Sequence, residues 1–256
     1  MSNYLTLLLL LPLLATAPPA TAPPAATADT RELLRAADFF RGGHVPGIAW
    51  DLTVTNYEGD KVRNEIGIDL QAATREEHLY SLARFREPRK YDGQQLLVRD
   101  NNMWFMKPGL RAPIPISNRQ RLSGSAANAD IASPNYYYDY AVAAAEEATH
   151  RGRACLKLEL TATNRLVSYP RLVYWIDRDT RHGLHTEYYG KSGKLLKTAD
   201  FRYDNEVTYG GKGHRFISEV VIRDAVKTDE RTVLTLARIR FPELDPRIFQ
   251  KASLLD

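Results

Sequence analysis

Short runs in which apolar and polar side chains alternate recur along most of this 256-residue chain, and they constrain the fold more than any other feature. In Ile48–Tyr57, for example, Trp50, Leu52 and Val54 share one face of an extended strand, and the residues between them are polar. Side chains of a strand point alternately to its two sides, so this period of two residues predicts a β-strand with one buried face.

The same pattern predicts about ten more strands, mostly joined by tight hairpins, for a total of 10 or 11. These are Lys61–Gln71, Glu77–Arg86, Gly93–Arg99, Asn102–Met106, Arg153–Thr163, Arg171–Asp177, Leu184–Gly190, Lys194–Asn205, His214–Asp224 and Arg231–Phe241. Ala141–Ala148 stays open between helix and strand, because Ala and Glu favour a helix whereas its neighbours favour a strand.

Little helix is predicted. One short amphipathic helix, with Leu34 and Ala37 on its apolar side, runs from a cap at Asp29 or Thr30 to a stop at Gly42-Gly43. A helical turn closes the chain near Asp245–Ser253. Many antiparallel strands must close on themselves or cover their edges. We therefore predict a mainly β (α+β) fold, a strongly curved sheet or incomplete antiparallel barrel filled by the N-terminal helix and by Met103–Ile131.

The first 28 residues have the layout of a secretory signal peptide. The apolar run Leu5–Leu14 is followed by a small-residue tail that ends in Ala26-Thr27-Ala28, an Ala-x-Ala cleavage pattern. The run is shorter than the roughly 20 residues that span a bilayer. We predict a cleaved export signal over residues 1–28 and one domain over residues 29–256.

Composition and the absence of known motifs exclude several classes of function. The 35 basic and 31 acidic residues are interspersed and give a net charge of +4, without the basic stripe that nucleic-acid binding requires. The single Cys155 forms no internal disulfide. No nucleophile, metal-ligand or phosphate-loop motif is present. His182 and His185, on a predicted strand and turn, point apart, so we expect no metal site and no cofactor.

Met103–Ile131 interrupts the succession of strands. It begins as an aromatic strand, breaks at Lys107-Pro108-Gly109 and ends in a segment rich in Gly, Ala and Ser. Insertions of this length in a compact β-domain usually cover or bind something. The faces of the predicted strands also carry more apolar and aromatic surface than one short helix covers, which predicts a cavity for an apolar ligand.

Several of these segments resemble one protein family, the LolA-like superfamily of periplasmic outer-membrane lipoprotein-sorting proteins, in a divergent branch of uncharacterised members. The resemblance covers nearly all of the chain after the signal peptide, and Arg121–Ile131 is its most specific part. The matching pieces are Pro88 to Gly93, Trp104 with Pro108-Gly109-Leu110-Arg111, Arg121-Leu122-Ser123-Gly124 with Asn128-Ala129-Asp130-Ile131, Tyr169-Pro170-Arg171, Tyr174-Trp175-Ile176-Asp177, and Glu187 to Lys197.

The resemblance implies an open antiparallel β-barrel whose mouth is covered by short helices. It also implies a periplasmic carrier, not an enzyme, that takes the acyl chains of lipoproteins or lipids into an apolar cavity. It implies an inner-membrane lipid-exporting permease or transporter and an outer-membrane acceptor as partners. The expected cavity wall is Trp50, Leu52, Ile66, Ile68, Leu82, Met103, Phe105, Leu156, Leu158 and Trp175. The expected lid positions are Pro108, Gly109, Arg111, Arg121, Asn128 and Asp130.

Two other functions stay open at this stage. One is a periplasmic domain that senses lipid or mislocalised lipoprotein and regulates a membrane partner. The other is a lipid hydrolase, which would lose activity on replacement of His182, His185 or Asp177.

Overall fold

The computed structural model describes residues 27–99, 101–117, 119–132 and 135–255. The helices are α1 Ala28–Phe39, α2 Asn128–Ala132 and α3 Tyr136–Asp139. The strands are β1 Ile48–Glu58, β2 Lys61–Arg75, β3 His78–Glu87, β4 Gln95–Arg99, β5 Asn102–Met106, β6 Ile114–Ile116, β7 Arg121–Ser123, β8 Ala126–Ala127, β9 Tyr140–His150, β10 Arg153–Ala162, β11 Arg171–Asp177, β12 Gly183–Tyr189, β13 Leu195–Arg202, β14 Asn205–Tyr209, β15 Lys212–Phe216, β16 Glu219–Asp224 and β17 Glu230–Arg240. Short 3-10 helices lie at Arg89–Tyr91, Pro246–Phe249 and Lys251–Leu254.

Thirteen strands form one antiparallel sheet in the order β6-β5-β4-β3-β2-β1-β17-β16-β13-β12-β11-β10-β9. Within the described residues its two edge strands, β6 and β9, do not pair with each other, so the sheet is open. The predicted mainly β, open antiparallel architecture is confirmed. The predicted count of 10 or 11 strands is too low, because the short β6 and the ambiguous Ala141–Ala148, which lies within β9, both join the sheet.

Two predicted long strands are each broken near the middle. Lys194–Asn205 ends as a strand at Arg202, and His214–Asp224 is divided between β15 and β16. Between them β14 and β15 form a separate two-stranded hairpin. The side chain of Asn205 donates to the backbone oxygens of Ile217 (2.7 Å) and Leu236 (2.8 Å), which fixes the base of this hairpin against β17.

The two faces of the sheet bury different sets of apolar residues. The inner face carries the main core, to which α1 adds Leu34 and Ala37 and α3 adds Tyr136. The outer face carries a smaller core beneath the C-terminal 3-10 helices. Its buried members are Ala73, Leu82, Leu97, Met106, Leu244, Phe249 and Leu254. Because neighbouring strand residues face opposite sides, a strand that is covered on both faces loses its apolar–polar alternation.

Helix α1 packs against α3 and against strands β9 and β11. It is capped by Thr27, whose hydroxyl accepts from the backbone N–H of Thr30 (3.2 Å), and not by Asp29 or Thr30 as the sequence suggested. At the other end, Gly42 has a φ of 95°, a conformation that glycine adopts without strain. The buried Asp38 accepts from the backbone N–H of Tyr137 (2.6 Å), which ties α1 to α3.

The predicted export signal falls almost wholly on residues 1–26, outside the described residues. Thr27 and Ala28, its last two positions, belong to the start of α1. Within the described ranges no helix has the length and apolar content needed to cross a membrane, and the longest, α1, has 12 residues.

Candidate ligand-binding cavity

A small, partly open cavity lies between the inner face and the chain that covers it. Its volume is about 60 Å³, and one water-sized group needs roughly 10–15 Å³, so it holds only a few such groups. Most of its wall is apolar or aromatic. The lining residues are Arg41, Trp50, Leu52, Asp130, Ile131, Tyr136, Asp139, Tyr140, Val167, Ser168, Tyr169, Tyr188, Phe201, Ile217, Val220, Ile222, Leu234 and Leu236.

Seven of the ten predicted wall residues belong to the main core of the inner face. Trp50 and Leu52 line the cavity itself. Five more are buried in the same core without reaching the cavity: Ile66, Ile68, Met103, Leu156 and Leu158. The predicted wall is therefore only partly brought together, with two residues at the cavity and five elsewhere in the same core.

The other three predicted wall residues are elsewhere. Leu82 is part of the outer-face core, because the strand alternation of β3 turns it away from Ala83 and Phe85, which belong to the inner-face core. Trp175 also faces outward, with its ring 5.1 Å from that of His185. Phe105 is half-buried and belongs to neither core.

The chain from Arg121 to Ala132, comprising β7, β8 and α2, covers part of the inner face, and we call it the covering segment. It contributes Ala126 and Ile131 to the main core, and it also contacts the sheet through polar groups. Ser123 Oγ accepts from Asn56 Nδ2 (2.6 Å), and the backbone N–H of Ser125 donates to Thr232 Oγ1 (2.9 Å). Thr232 in turn donates to Asn56 Oδ1 (2.7 Å), so the strands β1 and β17 hold the segment through one buried hydrogen-bond network.

Gly124 lies at the centre of this contact. Its φ is 53°, and a Cβ atom added to it would lie 1.8 Å from Asn56 Oδ1 and 2.4 Å from Thr232 Oγ1. No side chain fits there without moving the segment. Glycine at this position thus permits both the turn and the close approach to the sheet.

A buried ion pair fixes the second half of the covering segment. Asp130, a predicted lid residue, pairs with Lys197 of β13, and their side chains are only 4% and 7% exposed. The Asp130 carboxylate also accepts from Tyr169 Oη (3.1 Å) and from the backbone N–H of Ala127 (2.7 Å). Asn128, another predicted lid residue, is buried and donates from Nδ2 to the backbone oxygen of Ser117 (3.2 Å).

The remaining predicted lid residues do not all lie over the cavity. Pro108, Gly109 and Arg111 are exposed in the turn between β5 and β6. The chain does not leave the sheet there, because β6 folds back and pairs with β5 as the edge strand. Arg121 begins the covering segment. The first half of Met103–Ile131 is therefore a sheet-edge hairpin, and only the second half covers the inner face.

Buried charge accompanies the apolar wall. Arg41 is 8% exposed, and its guanidinium carbon lies 4.1 Å from the centre of the Tyr136 ring. Its Nη1 is 3.6 Å from Asp38 Oδ1. Burial raises the pKa of Asp38 to about 7 even though Arg41 lies beside it. Burial also raises the pKa of Asp139 to about 6.

Comparison with known proteins agrees with this architecture. The model of a family described as “Uncharacterized protein” matches residues 77–256. The structure of a LolA superfamily protein from Nitrosomonas europaea superposes with a TM-score of 0.77, at 27% identity over 90% of this chain and 100% of that one. The chain belongs to the LolA-like superfamily.

Two further LolA-like neighbours show the same fold at lower identity. A putative outer membrane lipoprotein-sorting protein domain from Vibrio parahaemolyticus has a TM-score of 0.73 at 20% identity, over 88% of this chain and 97% of that one. A DUF1329 family protein from Desulfovibrio piger has a TM-score of 0.72 at 20% identity, with the same coverage of both chains. No curated protein matches the sequence.

Sequence reasoning missed three residues that line this LolA-like cavity, Arg41 and the pair Tyr136 and Tyr188, whose hydroxyls are 2.8 Å apart. It also missed Lys197, the ion-pair partner of the lining residue Asp130. A signal for Lys197 was present. It alternates with Ala199 and Phe201 on the inner face of β13, and a lysine in the buried register of a strand requires a partner. Arg41 carried no such signal, because a basic residue at the end of the predicted helix, directly before Gly42-Gly43, is ordinarily exposed.

A different cluster of possible metal ligands lies away from the cavity. Candidate ligand atoms of His150, His185 and Asp200 lie within 4.8 Å of one another. Burial alone raises the pKa of Asp200, but the hydrogen bond and charge of His185 together with the guanidinium groups of Arg151 and Arg223 lower it to about 2. A cation would face both guanidinium groups, so the cluster is better suited to ion pairing. His182 lies outside it, stacked on Tyr203.

Proposed function

We propose that this protein is a periplasmic carrier that binds the acyl chains of lipids or lipoproteins beneath the covering segment and moves them toward the outer membrane. The observation that carries the proposal is an apolar inner face closed by a segment held through polar contacts. The membership in the LolA-like superfamily and the printed lipoprotein-sorting description of the Vibrio neighbour support the same function.

The cavity volume implies that binding requires opening. A 16-carbon chain does not fit into about 60 Å³, so the covering segment must move away from the sheet before cargo enters. Each buried CH₂ group contributes about 0.8 kcal/mol, or roughly 10 kcal/mol for such a chain, before the costs of ordering and opening. The closed state, which fills the cavity when no cargo is bound, lowers the net affinity and so favours release.

A carrier of this kind needs a donor and an acceptor. We assign these roles to an inner-membrane lipid-exporting permease or transporter and to an outer-membrane acceptor. Transfer of a labelled lipid from donor vesicles to acceptor vesicles tests the carrier function apart from these partners. A protein that binds lipid but does not speed transfer contradicts the carrier function and leaves a lipid-binding domain.

A reversible disulfide tests the role of the covering segment. Asn56→Cys with Ser123→Cys replaces a side-chain contact of 2.6 Å by a bridge between the segment and β1. We expect the oxidised protein to bind a fluorescent fatty acid at least tenfold more weakly than the reduced protein. Glu206→Cys with Arg215→Cys is the matched control, because these residues pair directly in the β14–β15 hairpin and its oxidation leaves the segment free.

Two outcomes are decisive. Equal binding by the locked and reduced forms would place the ligand somewhere other than beneath the segment. If the unaltered protein binds no fatty acid and yields no lipid on extraction from the periplasm, the carrier function is wrong.

A further inference from the structure

Two donor groups on residues that line the cavity make no hydrogen bond to the described residues, and the ion-pair partner of one of them, Asp38 Oδ1, lies 3.6 Å away. Arg41 Nη1 and Trp50 Nε1 are both buried, and neither has a hydrogen-bond partner within the described ranges. Arg41 and Trp50 are 8% and 3% exposed, and both line the cavity. An arginine or indole N–H can only donate, and a buried donor without an acceptor costs free energy. The cavity therefore provides unused donors to a ligand that carries an acceptor.

The surrounding charges decide which acceptor suits the cavity. Arg41 has Asp38 beside it at 3.6 Å, and Lys197 is paired with Asp130. A third carboxylate, Asp139, accepts from Asn101 Nδ2 (2.9 Å). Two cations thus face three carboxyl groups, so the site has no surplus of positive charge for an anionic head group. A neutral carbonyl oxygen accepts the free N–H groups without adding charge.

We propose that Arg41 and Trp50 bind the ester or amide carbonyl of an esterified acyl chain, so that the cavity selects acylated lipids over free fatty acids. This inference rests on the proposed function and adds the chemical class of the cargo. It also predicts how far the acyl chain enters the cavity, because the carbonyl lies beside Trp50 on β1 and the hydrocarbon lies along the inner face. The ring of Trp50 is set close to the backbone there, since a Cβ added at Gly42 would lie 3.0 Å from it.

Three ligands of one chain length test the proposal: a fatty acid methyl ester, the ionised free acid, and the alkyl methyl ether, which lacks the carbonyl. Affinities are measured by displacement of a bound fluorescent fatty acid. We expect the ester to bind about tenfold more tightly than the ether, the size of effect that one or two hydrogen bonds give, and more tightly than the acid.

Substitutions identify the donors. Trp50→Phe removes the indole N–H, and we expect it to reduce the preference for the ester over the ether to about threefold or less. Trp104→Phe is the matched control, since Trp104 packs with the outer-face core, and it should leave the preference unchanged. Asp38→Asn with Arg41→Met removes the second donor without leaving an unpaired buried carboxylate, and should have an effect similar to that of Trp50→Phe.

The remaining tryptophans allow a direct readout of occupancy. The chain has three, so Trp104→Phe with Trp175→Phe leaves Trp50 as the only indole, and its emission should change when the ester binds. Equal affinity for ester and ether in the unaltered protein overturns the carbonyl assignment while the carrier function stands. Tightest binding of the free acid also overturns it, in favour of an anion site. Binding of none of the three contradicts the carrier function itself.

Discussion

Asp130 and Lys197 form an ion pair that joins the covering segment to strand β13 inside the protein, with side-chain exposures of 4% and 7%. Removal of one partner leaves the other charge buried and unpaired, which usually costs about 3–5 kcal/mol. We expect Asp130→Asn and Lys197→Met each to lower the free energy of unfolding by an amount of this order. Asp130→Asn combined with Lys197→Met should cost less than the sum of the two, as measured by urea denaturation. Simple additivity would show that the two charges do not interact.

The close approach of Gly124 to Asn56 predicts a selective effect on the covering segment. In Gly124→Ala the new methyl group overlaps Asn56 Oδ1, so we expect faster amide hydrogen exchange across residues 121–132. Gly109→Ala is the control, because Gly109 also has a positive φ (89°) but has no atom within 4 Å of its added Cβ. Similar exchange in both variants would mean that backbone strain, and not the contact with Asn56, causes the effect.

Substitutions of Leu52 and Leu82 distinguish an effect on ligand affinity from an effect on stability. Both are buried, at 2% and 0% exposure, but only Leu52 lines the cavity. We expect Leu52→Ala and Leu82→Ala to lower the free energy of unfolding by about 2–5 kcal/mol each. Fatty acid affinity, measured under conditions in which both variants are folded, should fall only in Leu52→Ala. Equal losses of affinity would indicate that the ligand site includes the outer face.

The buried carboxyl of Asp38 predicts a pH dependence of stability. Its pKa is raised from 3.8 to about 7 by burial, so between these pH values the folded state binds more protons than the unfolded state. The free energy of unfolding contributed by this group therefore falls as the pH rises. In Asp38→Asn we expect a weaker decrease between pH 4.5 and 7.5 by urea denaturation. Part of the decrease remains, because the pKa of Asp139 is raised to about 6 in the same direction.

The sequence was sufficient to predict most strands of the main sheet, because residue alternation depends on local backbone geometry, but it missed the short β6 and the breaks in two long strands. It did not indicate which apolar residues belong to the inner-face core and which belong to the outer-face core. Leu82 and Trp175 both occupy strand positions that look internal, yet they pack on the outer face, where the C-terminal 3-10 helices and a His–Trp cluster cover the sheet. Long-range packing of this kind leaves no mark on the strand itself.

The covering segment was also only partly predictable from the sequence. The predicted lid residues Asn128 and Asp130 belong to it, whereas the predicted lid residues Pro108 and Gly109 lie in the turn between β5 and β6. Pro and Gly indicate a turn, and whether the chain after a turn pairs with the strand before it depends on contacts that these two residues do not determine. Here Phe105 pairs with Ile114 and Trp104 with Pro115.

The open edges of the sheet bear on how the protein behaves when it is crowded together with copies of itself. An unpaired edge strand can recruit a strand from another molecule, which leads to aggregation. Strand β6 is only three residues long and contains Pro115, which has no N–H to donate to a strand of another molecule. On the opposite edge, β9 carries the exposed Glu146 and Glu147, which pair with Lys157 and Arg178. Charged side chains on an edge strand disfavour its pairing with another molecule. Pairing with another molecule is thus disfavoured at β6 because this strand is short and contains proline, and at β9 because it carries charged side chains.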